Sequence, residues 1–216
     1  MRLGAISHLA LAALVAGAAL ADTPIAARER ETLRLEARGA ATHELRLTLA
    51  VLEGSGWTRE AIVPLAAQSA RILAQCNVAL VSVELVRIGA PARFRDYATP
   101  TARELARTLP LARPTVYFVA DTRQRPAFDA EAIGRANSRT RPELADTVWL
   151  TRATRDPGIA LAHELVHVLM DSGEHAIEPG NLMNAETAPE NTRLTPDQCA
   201  RLQSNATASG LLRQAK

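Results

Sequence analysis

Ala162-His163-Glu164-Leu165-Val166-His167-Val168-Leu169-Met170 decides how this chain is read. It contains the pattern H-E-x-x-H. On a helix, two histidines four residues apart share a face, with the carboxylate of Glu164 beside them to work on a metal-activated water. The flanks predict such a helix. Asp156-Pro157-Gly158 is a start signal, with Asp156 suited to the cap and Pro157 to the first helical position. Ile159, Ala162, Val166 and Leu169 can then enter a core, leaving His163 and His167 on another side. Beyond residue 21 the chain has four histidines, of which three fall between 163 and 175. A structural histidine is usually solitary, so the clustering points to ligation. Zinc at a catalytic site takes three protein ligands and keeps a fourth position for water.

Upstream of this stretch the apolar pattern alternates between strand and helix. His43 to Leu52 reads as a strand with Leu45, Leu47 and Leu49 on one face, and Glu53-Gly54-Ser55-Gly56 breaks it. Thr58 to about Gln75 has helical spacing, with Thr58 as cap, and Val78 to Ile88 reads as a buried strand. Strand, helix, strand in that order predicts a parallel crossover unit. A short helix near Thr101 to Thr108, a strand over 114–121 and another over 147–151 follow, with an edge strand around 132–138. Downstream, residues 171–194 show no regular pattern until Thr195-Pro196-Asp197 opens a last helix that puts Cys199, Leu202 and Ala206 on one face.

Length and composition fit one globular domain: 216 residues, 47% hydrophobic and 22% charged. Residues 1–21 read as a signal peptide, with Arg2, an apolar run from Leu9 to Leu20, and Ala19-Leu20-Ala21 as a cleavage site. The run is too short for a comfortable membrane span, so no stable membrane insertion is expected once it is removed. Its removal leaves 24 basic against 23 acidic side chains. That balance, with no basic run interleaved with aromatics, argues against nucleic acid as a partner. Residues 22–41 form a charged leader or possible pro-segment, read as a surface helix or loose extension, and 42–216 a single catalytic domain. Cys76 and Cys199 are the only cysteines, and in an exported, secreted or periplasmic protein a pair predicts one disulfide.

Residues 163–183 resemble the metzincin metalloproteases, whose pattern is H-E-x-x-H-x-x-G-x-x-H followed by a methionine-containing turn. His163, Glu164 and His167 match it, Met170 stands where the glycine is expected, and the third histidine comes two residues late at His175. Asp171-Ser172-Gly173 supplies turn chemistry there, with Gly173 expected to replace the missing glycine. From His175 to Leu182-Met183 the segment is similar to matrix-metalloprotease-like sequences. The resemblance implies an α/β (α+β) fold: a twisted mixed sheet, an active-site helix and a mostly irregular C-terminal subdomain ending in a helix. It implies Zn2+ on His163, His167 and His175, Glu164 as general base, Met183 as an apolar floor, and a protein or peptide substrate for an exported zinc endopeptidase. Ile133-Gly134-Arg135-Ala136 resembles the edge strand along which such enzymes bind extended peptide. Two alternatives stand beside this reading. One is a gluzincin-type peptidase taking Glu186 or Glu190 as third ligand; the other is a non-catalytic secreted zinc-containing binding module.

Overall fold

The computed structural model describes residues 23–35 and 41–215, so the signal-peptide reading of 1–21 lies outside the described residues. Its centre is β2 (His43–Leu52), whose alternation is read by two different cores. Leu45, Leu47, Leu49 and Val51 enter one apolar cluster, while Ala50 and Leu52 enter a second on the opposite face. A strand buried on both faces needs a covering layer on each side. On the first side lie α1 (Arg59–Leu73) and α3 (Pro157–Met170); on the second lies α2 (Thr99–Thr108).

The remaining strands are β1 (Ala26–Leu33), β3 (Val78–Gly89), β4 (Thr115–Phe118), β5 (Ala130–Ile133), β6 (Thr147–Leu150) and β7 (Leu212–Gln214). They run in the order β1-β3-β2-β4-β6-β5, with β7 beside the start of β2. β3, β2, β4 and β6 are mutually parallel; β1, β5 and β7 join antiparallel. The expected β2-α1-β3 crossover is therefore present, and the sheet is mixed. Thr58 caps α1 by accepting the Ala61 N–H at 3.3 Å. The two long helices approach closely at Gly158, where a Cβ would fall 2.0 Å from Gln68 Oε1.

Four segments differ from the sequence reading. Residues 26–33 are neither a surface helix nor a loose extension but an edge strand, paired with β3 from Ala26↔Gly89 to Leu33↔Val83 and carrying the ion pairs Arg30–Glu84 and Glu31–Arg59. Its alternating charges obscured a strand whose pairing is made by backbone. The antiparallel edge strand runs over 130–133, not 132–138: Ile133 plugs into the second core, and the chain leaves the sheet at Gly134 to turn over 136–137. Asp156 does not cap α3 through its side chain; it takes a left-handed conformation at φ 45° and leaves the start of the helix to Pro157. After the last helix, α4 (Pro196–Ala208), the chain does not end but returns as β7 against β2. Thr195 and Gln198 form the capping box of α4, and Cys76 is bonded to Cys199 as expected.

Candidate metal centre

Almost all of α3 is buried, only Pro157 and Glu164 escaping full enclosure. That burial fixes its two histidines one turn apart and desolvates both. His163 Nδ1 lies 2.7 Å from the Leu182 carbonyl and His167 Nδ1 lies 2.6 Å from the Ser172 carbonyl. A carbonyl oxygen can only accept, so both Nδ1 atoms carry the proton and both rings present a bare Nε2. These two Nε2 atoms face each other at 2.9 Å. Two lone pairs at that distance repel, and a cation between them removes the conflict. Imidazoles oriented through Nδ1–H to carbonyls are also the usual form of metal-ligating histidine.

His175 completes the group. Its ring centroid is 5.4 Å from that of His163 and 4.9 Å from that of His167, and one ligand atom from each of the three lies within 4.8 Å of the others. His163 and His167 are buried and preset by the helix, whereas His175 is exposed on the loop. Its neighbour Ala176 ties that loop down by donating its N–H to the Met183 carbonyl at 2.7 Å. Among the described residues no other group of three such side chains converges, and Glu186 and Glu190 are exposed and outside it. Met183 itself is buried in the core beneath α3.

Burial pushes His167 down to about 4, the neighbouring His163 adding to the effect, and burial likewise lowers His163. Both rings are thus neutral and able to ligate at neutral pH. Burial raises Glu164 to about 8, helped by the Glu131 carboxylate and opposed by the backbone of Ala132. Glu164 therefore sits against edge strand β5. The three histidines, Glu164 and β5 line one cleft of about 580 Å³, together with Thr154 and Arg155 just before α3.

The turn after α3 is made differently from the sequence reading. Asp171, not Gly173, adopts the left-handed conformation, at φ 47°, and redirects the chain. The Ser172 N–H then bonds the His167 carbonyl at 3.1 Å, which brings the Ser172 carbonyl onto the His167 ring. The Asp171 carboxylate accepts the Ala136 N–H at 2.8 Å, and Gly134 gives it room, since a Cβ there would lie 2.7 Å from Asp171 Oδ1. The proposed peptide-binding stretch 133–136 is therefore mostly a loop pinned to the end of α3. Ser172 and Leu182 were missed by sequence reasoning because a backbone carbonyl leaves no mark on residue type.

No protein-family model matches this chain, and no curated protein matches its sequence. Its fold is similar to that of metalloproteinase-II from Bacteroides fragilis, with a TM-score of 0.52 and 16% identity over 77% of this chain and 54% of that one. The chain thus spans about half the length of that protein. Archaemetzincin from Methanopyrus kandleri aligns over 79% of this chain and 98% of its own, at 15% identity and a TM-score of 0.46. At such identities the likeness is one of fold. That likeness agrees with the α/β fold expected from the sequence, a mixed sheet with the H-E-x-x-H stretch on a helix.

Proposed function

We propose that this protein is an exported zinc-dependent endopeptidase of metzincin type, hydrolysing protein or peptide chains. The observation that carries the reading is the pair of bare Nε2 atoms 2.9 Å apart, with His175 beside them and Glu164 on the same cleft wall. His163, His167 and His175 are the residues to hold Zn2+. When bound there, zinc supplies Lewis acidity to a water and to the scissile carbonyl. Glu164 takes the proton of the attacking water on a carboxylate oxygen and passes it to the leaving amine nitrogen. It must be ionised to do so, and a divalent cation held by the three histidines would favour that form against its burial. β5, the end strand of the sheet, lines the cleft with Ala130, Glu131 and Ala132, so an extended peptide would lie alongside it. Met183 is an apolar support for the site and not a ligand.

Export is supported by the leader sequence and by the Cys76–Cys199 disulfide, a bond typical of oxidising compartments. Among the described residues no helix is long and apolar enough to cross a membrane. The test is cleavage of an unfolded protein with and without a chelator. Cleavage should be chelator-sensitive, and Glu164→Ala should keep its zinc while losing about 10²–10⁴-fold in rate. Undiminished cleavage by that variant would sink the mechanism. Zinc retained by the unmutated protein without turnover of any peptide is the result expected of a binding module.

A further inference from the structure

The zinc reading makes the Leu182 carbonyl important, because it fixes the tautomer and direction of His163. Leu182 is itself gripped on both sides. Its N–H donates to the Arg193 carbonyl at 2.7 Å, and the Arg193 N–H returns to the Gly180 carbonyl at 3.0 Å. Next to it, buried Asn181 accepts the Met183 N–H on Oδ1 at 2.8 Å. That bond dictates every amide orientation beyond it. Gln198 must turn Nε2 toward Asn181 Oδ1, at 3.1 Å, and Oε1 toward Asn181 Nδ2, also at 3.1 Å. The same Oε1 accepts the Thr195 N–H at 2.8 Å and so closes the cap of α4.

Gln198 immediately precedes Cys199, and the partner cysteine, Cys76, is preceded by Gln75. Gln75 donates from Nε2 to the Thr192 carbonyl at 2.7 Å and accepts the Leu194 N–H on Oε1 at 3.3 Å, bracketing Arg193. Each half of the disulfide thus carries a glutamine. One glutamine holds the stretch 180–183 through Asn181, the other holds 192–194, and these two stretches pair with each other across Leu182 and Arg193.

We propose that Gln75-Cys76 and Gln198-Cys199 form a single clamp that sets the Leu182 carbonyl against His163 Nδ1, making Asn181, Gln198 and Gln75 positioning residues for the metal. The proposal rests on the zinc reading of the site. A fully satisfied amide network of this kind holds one geometry, and partners of metal-ligating histidines commonly matter about 10–100-fold in affinity. Asn181 and Gln198 are better shielded than the exposed Gln75 bonds and should matter more.

The experiment uses the full chain with Asn181→Ala, Gln198→Ala and the double variant, with Gln203→Ala as control. Gln203 donates to the Cys76 carbonyl at 2.6 Å, so it braces the same disulfide without bonding residues 180–183. Zinc affinity is read by chelator competition, and site geometry by the visible absorption of the Co2+-loaded protein. Each clamp variant should weaken zinc about 10-fold and shift the Co2+ bands, with the double variant no worse than the singles because they break one network. Gln203→Ala should lower the thermal midpoint and leave both metal readouts unchanged. If Gln198→Ala does not fold, Gln198→Glu keeps the acceptor for Thr195 and turns a carboxylate oxygen on Asn181 Oδ1, and the same shift is expected. Unchanged zinc affinity and Co2+ bands in the clamp variants would overturn the proposal. Undiminished zinc binding by His163→Ala would overturn the zinc reading instead, so the two failures are distinct.

Discussion

Replacing Glu164 by glutamine should make the metal-free protein more stable, by an amount that grows with pH. The folded protein holds this carboxyl near 8 against an ordinary value of 4.5, through burial first and the Glu131 charge second. Over that window the native state keeps a proton that the unfolded chain has released, so its contribution to stability is lost as pH rises. At ~1.4 kcal/mol per pH unit the loss reaches an upper limit of about 3 kcal/mol at pH 7. A glutamine amide has nearly the same shape and carries no such loss. His167 acts with the opposite sign: its pKa falls from 6.5 to about 4, so the native state binds fewer protons and stability rises with pH across that interval. His163, also lowered, adds to the rise. The unmutated protein should therefore hold level or rise gently up to about pH 6.5 and decline above it, whereas Glu164→Gln should rise more steeply and then level off. Urea midpoints in excess chelator, taken in half-unit steps from about pH 5 to 8.5, measure the gap. A gap that stays constant with pH would refute the reasoning, because only titration of Glu164 makes it widen.

Three further outcomes follow from the same geometry. His175→Ala should lower zinc occupancy while Glu186→Ala leaves it intact, read by metal analysis after dialysis; the reverse pattern would move the third ligand to Glu186. Converting Cys76 and Cys199 to serine opens a link across 123 residues of sequence, and should cost about 2–5 kcal/mol of stability in denaturant melts. Unaltered melting would show that the α4 hydrogen bonds alone hold the helix. Removing residues up to 41 should destabilise the protein without activating it, since β1 pairs at the sheet edge opposite to β5 and the cleft. A trimmed protein that cleaves faster would restore the pro-segment reading.

The elements around the site were legible where side-chain pattern and backbone need coincide. Leu45, Leu47 and Leu49 mark β2 because one face of a central strand enters one core, and Thr58 and Thr195 mark helix starts because a hydroxyl meets a free N–H there. β1 and β7 were not legible: Arg28-Glu29-Arg30-Glu31 and Leu212-Arg213-Gln214 have sequences that suit a solvated surface, and only pairing with β3 and β2 makes them strands. Within the site, the histidines and Glu164 could be read because their chemistry is in their side chains. The carbonyls of Ser172 and Leu182, which select the tautomers, could not.

The departure from the metzincin pattern at Met170 is where these two kinds of information meet. With a glycine absent, some residue must turn the chain out of α3. Asp171 does so at φ 47°, a conformation that aspartate tolerates better than most side chains. Its side chain offsets the strain by taking up the Ala136 N–H, a bond that glycine has no side chain to make. The displaced turn places the Ser172 carbonyl on the His167 ring. The two extra residues before His175 are therefore not slack inserted into a ligand loop. Asp171 and Ser172 join the end of α3 to the chain following β5 and orient His167, leaving His175, exposed on the loop, as the member of the three-histidine group that the helix does not preset.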